Sequence, residues 1–254
     1  MRKKFFMCDP SYFDVLYELD TNEHMKKDVR PDRAVASMQW ARLALRCNEL
    51  AQAHFSKPHP ELPDQTFFAN AGLPYKNLFI MSNFYHEERR REYEPNLKFF
   101  EKHFYAENIF LLNDGAFFEG QGDAVWLNEE TLIIGCGVRT NLKGIKEVER
   151  VLLGHDSKIK VIPIFMKKQP RYYHLDTCQL RLPNSEMSLI YPEAFEAEGV
   201  EALKKLGFPV APFEVCRSQE EILGYWKRMR EEREGLDYEI DGIVVKVNDL
   251  ALRE

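Results

Sequence analysis

Four short stretches place acids, a histidine or an arginine beside glycines and apolar runs. They are LPDQTFFANAG (62–72), FFEGQGDAVW (117–126), GCGVRTN (135–141) and YHLDTC (173–178). Asp64, Glu119, Asp123, Arg139, His174 and Asp176 each fall at or near the end of an apolar run, where a rigid scaffold presents polar groups to a cleft. Taken singly, each has an ordinary structural use. Asp64 after Pro63 suits a turn, Glu119 and Asp123 flank a glycine-rich turn, Arg139 suits a carbonyl or a surface acid, and His174 suits a hydrogen-bonded place in the core. Taken together they describe a site for a guanidinium group. Such a group is planar and permanently charged, so carboxylates hold it by accepting its N–H groups in pairs. Asp64, Glu119 and Asp176 can supply them. Attack on its central carbon calls for a thiolate and for a histidine to move protons, and His174 suits the second task. Arg139 suits the carboxylate of an amino-acid substrate.

Alternating strands and helices must position these residues. FFMC (5–8) reads as a strand, and the run from 32 to about 53 as a helix with Val35, Met38, Ala41, Leu45 and Leu50 near helical spacing. TFFANAG and NLFIMSN read as a strand pair, followed by a charged helix over about 86–104. ENIFLL, GAFFEGQGDAVWL and TLIIGCGVRT read as strands, with a helix over about 142–153. KVIPIFM, YHLDTCQLRL and MSLIYP follow as three more. Strands in pairs or threes, punctuated by one helix, predict an α/β fold of repeated β-β-α-β units rather than a doubly wound sheet.

A chain of 254 residues has length for one large or two small domains, and 44% hydrophobic with 30% charged residues suits a globular protein. MRKKFFMC opens like a leader peptide, but its apolar run is too short and stops at Asp9-Pro10. No later run approaches bilayer length, so no membrane partner is expected and the reading is cytoplasmic. Cys8, Cys47, Cys136, Cys178 and Cys216 make no C-x-x-C pair and no Cys/His ligand spacing, which suits a reducing compartment without a bound metal. Neither G-x-G-x-x-G nor G-x-x-x-x-G-K-[ST] occurs, so no organic cofactor is expected. The net charge of -6 argues against a nucleic-acid partner held by a broad basic surface. The expected partner is a small guanidino compound. Oligomeric state is not readable.

CDPSYFDVLYE, LPDQTFFANAG, FEGQGDA, GVRTN and HLDTC, in that order, resemble the amidinotransferase superfamily. Dimethylarginine dimethylaminohydrolase-like and arginine dihydrolase-like members are the nearest in kind. The resemblance covers about residues 4–198. It implies an α/β propeller of five β-β-α-β units around a central site. It also implies that Asp64 grips the guanidinium, that Glu119 and His174 are catalytic, that Asn70, Asp123 and Asp176 bind substrate, and that Arg139 holds its carboxylate. The chain departs from the pattern at Phe68, where the family has a small or polar residue, and at Gln121, where an acid is common. The family's nucleophilic cysteine follows a glycine-rich stretch near its C-terminus, and nothing in this sequence matches that motif.

From about Glu201 the sequence, ending in EIDGIVVKVNDLAL and two more residues, resembles the later part of the adenylation domain of bacterial NAD-dependent DNA ligase. That resemblance places Glu239, Asp241 and Lys246 in a nucleotide pocket. The ligase's own nucleophile, a lysine in K-x-D-G, has no counterpart. The reading of the tail as scaffold takes 218–233 as an amphipathic helix and IVVKV as a strand that covers the edge left by an incomplete or replaced last propeller unit. Three functions compete. A guanidino hydrolase or amidinotransferase would yield citrulline or ornithine. A non-catalytic binder would hold arginine derivatives without turnover. A ligase-related module would bind an adenine nucleotide.

Overall fold

β1 (Lys4–Cys8) and β2 (Gln52–Ser56) pair in parallel and are joined by α1 (Arg33–Leu50). The computed structural model describes residues 4–181, 188–208, 214–236, 239–245 and 247. It forms two compact units, Met1–Pro209 and Val210–Glu254. Among the described residues no helix is long and apolar enough to cross a membrane.

In the first unit, β3 (Gly72–Tyr75) and β4 (Leu78–Met81) pair antiparallel, α2 (Glu87–Arg90) and α3 (Tyr93–Phe100) cross over, and β5 (Ile109–Phe110) joins β4 in parallel. The order repeats with β6 (Ala124–Trp126) antiparallel to β7 (Thr131–Cys136), α4 (Leu142–His155), and β8 (Lys160–Phe165) parallel to β7. It begins again with β9 (Gln179–Arg181) antiparallel to β10 (Ser188–Ile190), then α5 (Ala197–Lys205). The crossover helices are held by apolar faces. Ile145, Val148, Val151 and Leu152 of α4 are buried against Leu132 and Ile134 of β7, each worth roughly 1.5–3 kcal/mol when fully removed from water. Gly144 lets α4 approach closely, since a Cβ there would stand 2.0 Å from the Phe117 carbonyl oxygen.

Each of the three units opens with a 3₁₀ turn. Pro63–Thr66 and Phe68–Ala71 precede β3, Gly120–Gly122 precedes β6, and Leu175–Thr177 precedes β9. Because these turns occupy equivalent places in successive units, the polar residues on them gather at one end of the sheets.

Several expected elements differ. TFFANAG is not a strand: its residues up to Ala71 lie in the two turns, and the strand starts at Gly72. GAFFEGQGDAVWL is a strand only over β6, with an isolated Asn83–Phe118 bridge before it. The charged helix over 86–104 is broken between α2 and α3. Pro95, the third residue of α3, has no N–H to bond the Arg91 carbonyl and its ring crowds that oxygen. α1 forms where expected, from an Asp32 cap that accepts the Ala34 and Val35 N–H groups at 2.9 and 3.1 Å. However, Val35, Met38, Leu45 and Leu50 are exposed, and only Ala44 is buried.

In the second unit α6 (Gln219–Glu232) starts at Ser218, whose hydroxyl accepts the Glu221 N–H at 3.2 Å, as the S-x-x-E signature dictates. Of IVVKV, residues 243–245 and 247 lie in no strand, and Val244, Val245 and Val247 are exposed. β propensity is context-dependent. The scaffold reading of the tail therefore keeps its helix, while the expected strand does not form over those described residues. Glu239 and Asp241 are exposed, and Lys246 lies outside the described residues.

Candidate functional site

The turns bring Asn70, Glu119, Asp123, Arg139 and His174 into direct contact, all of them buried. His174 is the hub. Its Nε2 lies 3.4 Å from Glu119 Oε2, and its Nδ1 lies 3.2 Å from Asp123 Oδ1, out of line for a hydrogen bond. Glu119 Oε2 also accepts from Arg139 Nη1 at 3.1 Å, while its Oε1 accepts the Tyr85 N–H at 3.2 Å. Asn70 Nδ2 donates to the Glu119 carbonyl at 3.3 Å and faces His174 Nε2 at 3.5 Å. Gly122 makes this possible, because a Cβ there would stand 2.3 Å from Asn70 Nδ2 and 3.3 Å from the imidazole.

The charges settle one another. Burial works against the Glu119 carboxylate, but Arg139, His174 and Arg89 outweigh it and hold the group below its ordinary value. Burial likewise works against a charged His174, and Asp123 and Glu119 outweigh it, so its pKa is raised. The site therefore favours a carboxylate–imidazolium pair. Asp123 is engaged by the protein. Its Oδ1 accepts the Leu175 N–H at 3.0 Å and its Oδ2 the Thr140 hydroxyl at 2.5 Å, behind the imidazole.

Asp64 is buried, and its Oδ2 accepts from the Tyr17 hydroxyl at 2.7 Å. It reaches Asn70 through one guanidinium, as Arg89 donates to the Asp64 carbonyl at 3.3 Å and to Asn70 Oδ1 at 3.2 Å. Asp176 lies on the rim. Much of the residue is exposed, yet its carboxyl is recessed enough for lost hydration to push it up to about 6, against the pull of His174 and with the push of Asp123. Water on its open side keeps the effect on fold stability small.

Tyr17, Thr21, His86, Arg89, Glu92 and Thr140 were not legible as site residues. Arg139 Nε donates to Thr21 Oγ1 at 2.7 Å, which lies 2.6 Å from His86 Nε2. A guanidinium only donates, so the hydroxyl is free to pass its own proton to a neutral His86. Burial and Arg139 push His86 below its ordinary value in agreement. Tyr17 and Thr21 sit in a long irregular segment with no periodicity, and Arg89 and Glu92 in a charge run that looks like a solvated face. The R-x-x-E spacing on a helix was the one available signal.

The surroundings of four of the five thiols disfavour the thiolate. Burial and then Asp9 push Cys8 up to about 12. Desolvation raises Cys136, Cys178 and Cys216 as well, with Asp176 adding to the rise at Cys178 and Glu214 at Cys216. Among the described residues no group of three or more His, Cys, Asp or Glu is placed to hold a metal ion.

Residues 15–211 match the arginine deiminase family model, and residues 174–254 match the NAD-dependent DNA ligase adenylation domain model, so the two overlap. The chain is 34% identical over 199 residues to the bifunctional arginine dihydrolase/ornithine cyclodeaminase ArgZ of Synechocystis sp., covering 76% of this chain and 26% of that protein. It thus spans about a quarter of that relative. It is 33% identical over 213 residues to an uncharacterised protein of Caenorhabditis elegans, covering 82% of this chain and 71% of that one. Among solved structures, the N-terminal domain of ArgZ, a cyanobacterial arginine dihydrolase, was determined as a cysteine-to-serine variant bound to substrate. It superposes with a TM-score of 0.70 at 30% identity, over 80% of this chain and 71% of that one.

Proposed function

The chain belongs to the arginine deiminase family, and on that footing we propose that it binds the guanidino group of arginine or a substituted arginine. The observation that carries this reading is the meeting of Asn70, Glu119, Asp123, Arg139 and His174 from successive units, with Asp64 joined to them through Arg89. Asp64 and Asp176 would accept the guanidinium N–H groups, with Asn70 between them. Glu119 and His174 would move the protons of any C–N bond cleavage, and Arg139, besides anchoring Glu119, would offer remaining N–H groups to a carboxylate. For Asp123 the engaged oxygens favour orienting His174 over touching substrate. The repeated β-β-α-β units support an α/β propeller as the arrangement of residues 1–200, with 201–254 as a ligase-related segment. Glu239, Asp241 and Lys246 would be its nucleotide-facing residues.

Calorimetric titration with L-arginine and methylated arginines tests the reading. Asp64→Asn should weaken binding by about 1–3 kcal/mol, roughly 5- to 150-fold in Kd, since a buried carboxylate–guanidinium contact loses its charge. Equal affinities for the two proteins would refute the pocket.

Binding should also depend on pH through Asp176. Its carboxyl is half ionised near pH 6, so attraction for a cation grows through the neutral range and fades on acidification. Asp176→Asn should flatten the dependence of Kd on pH between 5 and 7.5, roughly the span one group titrates over. A variant that kept the wild-type slope would remove Asp176 from the site.

A further inference from the structure

Two histidines that take no part in the site above sit ring against ring. His54 on β2 and His103, just past the end of α3, have ring centres 4.4 Å apart and planes at 62°. Phe6 of β1 stacks on His54 at 5.6 Å and 28° and lies 5.2 Å from His103, while Phe99 of α3 lies 4.7 Å from His103. Phe100 and Phe104 close round Phe6 at 5.5 and 5.9 Å. This nest holds the β1–β2 pair against the end of α3. It has little use for a proton. His54 Nε2 is buried without a hydrogen-bond partner. Among the described residues, the charged or chargeable groups that bear on the two rings are Lys4 of β1, Lys102 and the other imidazole, all of them basic.

We infer that His54 and His103 form an acid-sensitive latch: neutral, they close β1–β2 on the end of α3, and protonated, they part and loosen the β1–α1–β2 layer. The latch bears on the site through the chain. The segment 9–31 links β1 to α1, and it carries Tyr17 to the Asp64 carboxylate at 2.7 Å and Thr21 to Arg139 at 2.7 Å. Burial and then Lys4 work against a charged His54, and burial, then His54, Lys4 and Lys102 work against a charged His103. Both are held below the ordinary histidine value. Such a group leaves stability untouched above that value and destabilises the fold increasingly as pH falls from there to the lowered one. The latch is therefore shut at neutral pH and opens on acidification. Were the rings mere filler, phenylalanine would serve as well and acid would do nothing there.

Hydrogen exchange of the full chain at about pH 7.5 and about pH 5, on either side of the histidine range, tests the opening. After correction for intrinsic exchange rates, amides of β1, β2 and Tyr17 should lose protection about tenfold in acid, while those of β7 and β8 keep theirs. His54→Phe combined with His103→Phe keeps two rings without the charge and should abolish that difference. NMR titration reads the coupling. In His54→Phe alone, His103 should titrate about one pH unit higher, because the charge it opposed is gone. Lys4→Met, at an exposed position, should raise both titrations and serves if the double variant fails to fold. Equal acid loss in the wild type and the double variant, or a His103 titration indifferent to both His54 and Lys4, would overturn the inference. Neither readout requires that arginine bind, so failure of the proposed function would leave the result standing.

Discussion

L-Arginine incubated with the purified chain should yield neither citrulline nor ornithine above background, even though it is bound. Attack on a guanidinium carbon is hard in water, and catalysis of it needs a nucleophile present as its anion. Desolvation raises Cys8, Cys136, Cys178 and Cys216, which keeps their thiols protonated at neutral pH. Cys178 is nearest in sequence to His174, but it is buried, lies 3.2 Å from the Thr177 hydroxyl, and has Asp176 beside it. What remains is positioning and electrostatics. Loss of the nucleophile from a covalent enzyme can cost on the order of 10⁶ in kcat, so His174→Ala should change turnover little. The check is product formation by mass spectrometry, alongside calorimetry showing that the ligand binds. Robust turnover would mean that one of the five thiols acts, and a trapped covalent adduct would identify which.

Glu119→Ala should destabilise the fold by about 3–5 kcal/mol, the usual cost of removing one partner from a buried ion pair. Glu119 is fully buried and accepts from Arg139 and from the Tyr85 N–H, with His174 3.4 Å away. Its removal leaves the Arg139 charge, 3% exposed, without its carboxylate, and adds a cavity. The pH dependence carries a sign. Glu119 is held below its ordinary value, so its contribution is present above the unfolded value and lost as pH falls through the lowered one. His174 is raised, so its contribution is full below the ordinary histidine value and lost as pH rises through the raised one. The Glu119–His174 part therefore contributes most between the ordinary carboxylate and histidine values. The alanine variant's stability difference should shrink as pH falls through the lowered Glu119 value, and only in part on the alkaline side, where Arg139 stays charged. Denaturant unfolding at several pH values reads this directly. A cost below about 1 kcal/mol at pH 6 would show that the pair is not the anchor described.

The order of elements and the identity of most site residues were decided along the chain. Apolar runs such as TLIIGC and KVIPIF form strands wherever they are covered, and Asp32 and Ser218 start helices through their own side chains. These are local effects, legible from spacing and cap chemistry. The polar residues of the four stretches were legible because their types and flanking glycines are unusual together, not because any one spacing demands a site.

Tertiary structure decided what those residues touch. The sequence around Asp123 suggests a ligand-facing acid, yet Thr140 and the Leu175 N–H occupy its oxygens. Arg89 and Glu92 lie in a run of charges that any helix could carry on its wet face. They are buried because α2 and α3 fold over the turn that holds Asp64. IVVKV has the composition of a strand, yet its described residues, 243–245 and 247, lie in no strand, because composition alone does not set strand pairing. A sequence determines which groups are available and the local geometry of their backbone. The dielectric around a charge, and therefore whether it serves as a solvated decoration or as the fixed partner of an imidazole, depends on chain segments far off in sequence, 52 residues away for Asp123–Leu175 and 104 for Asn70–His174.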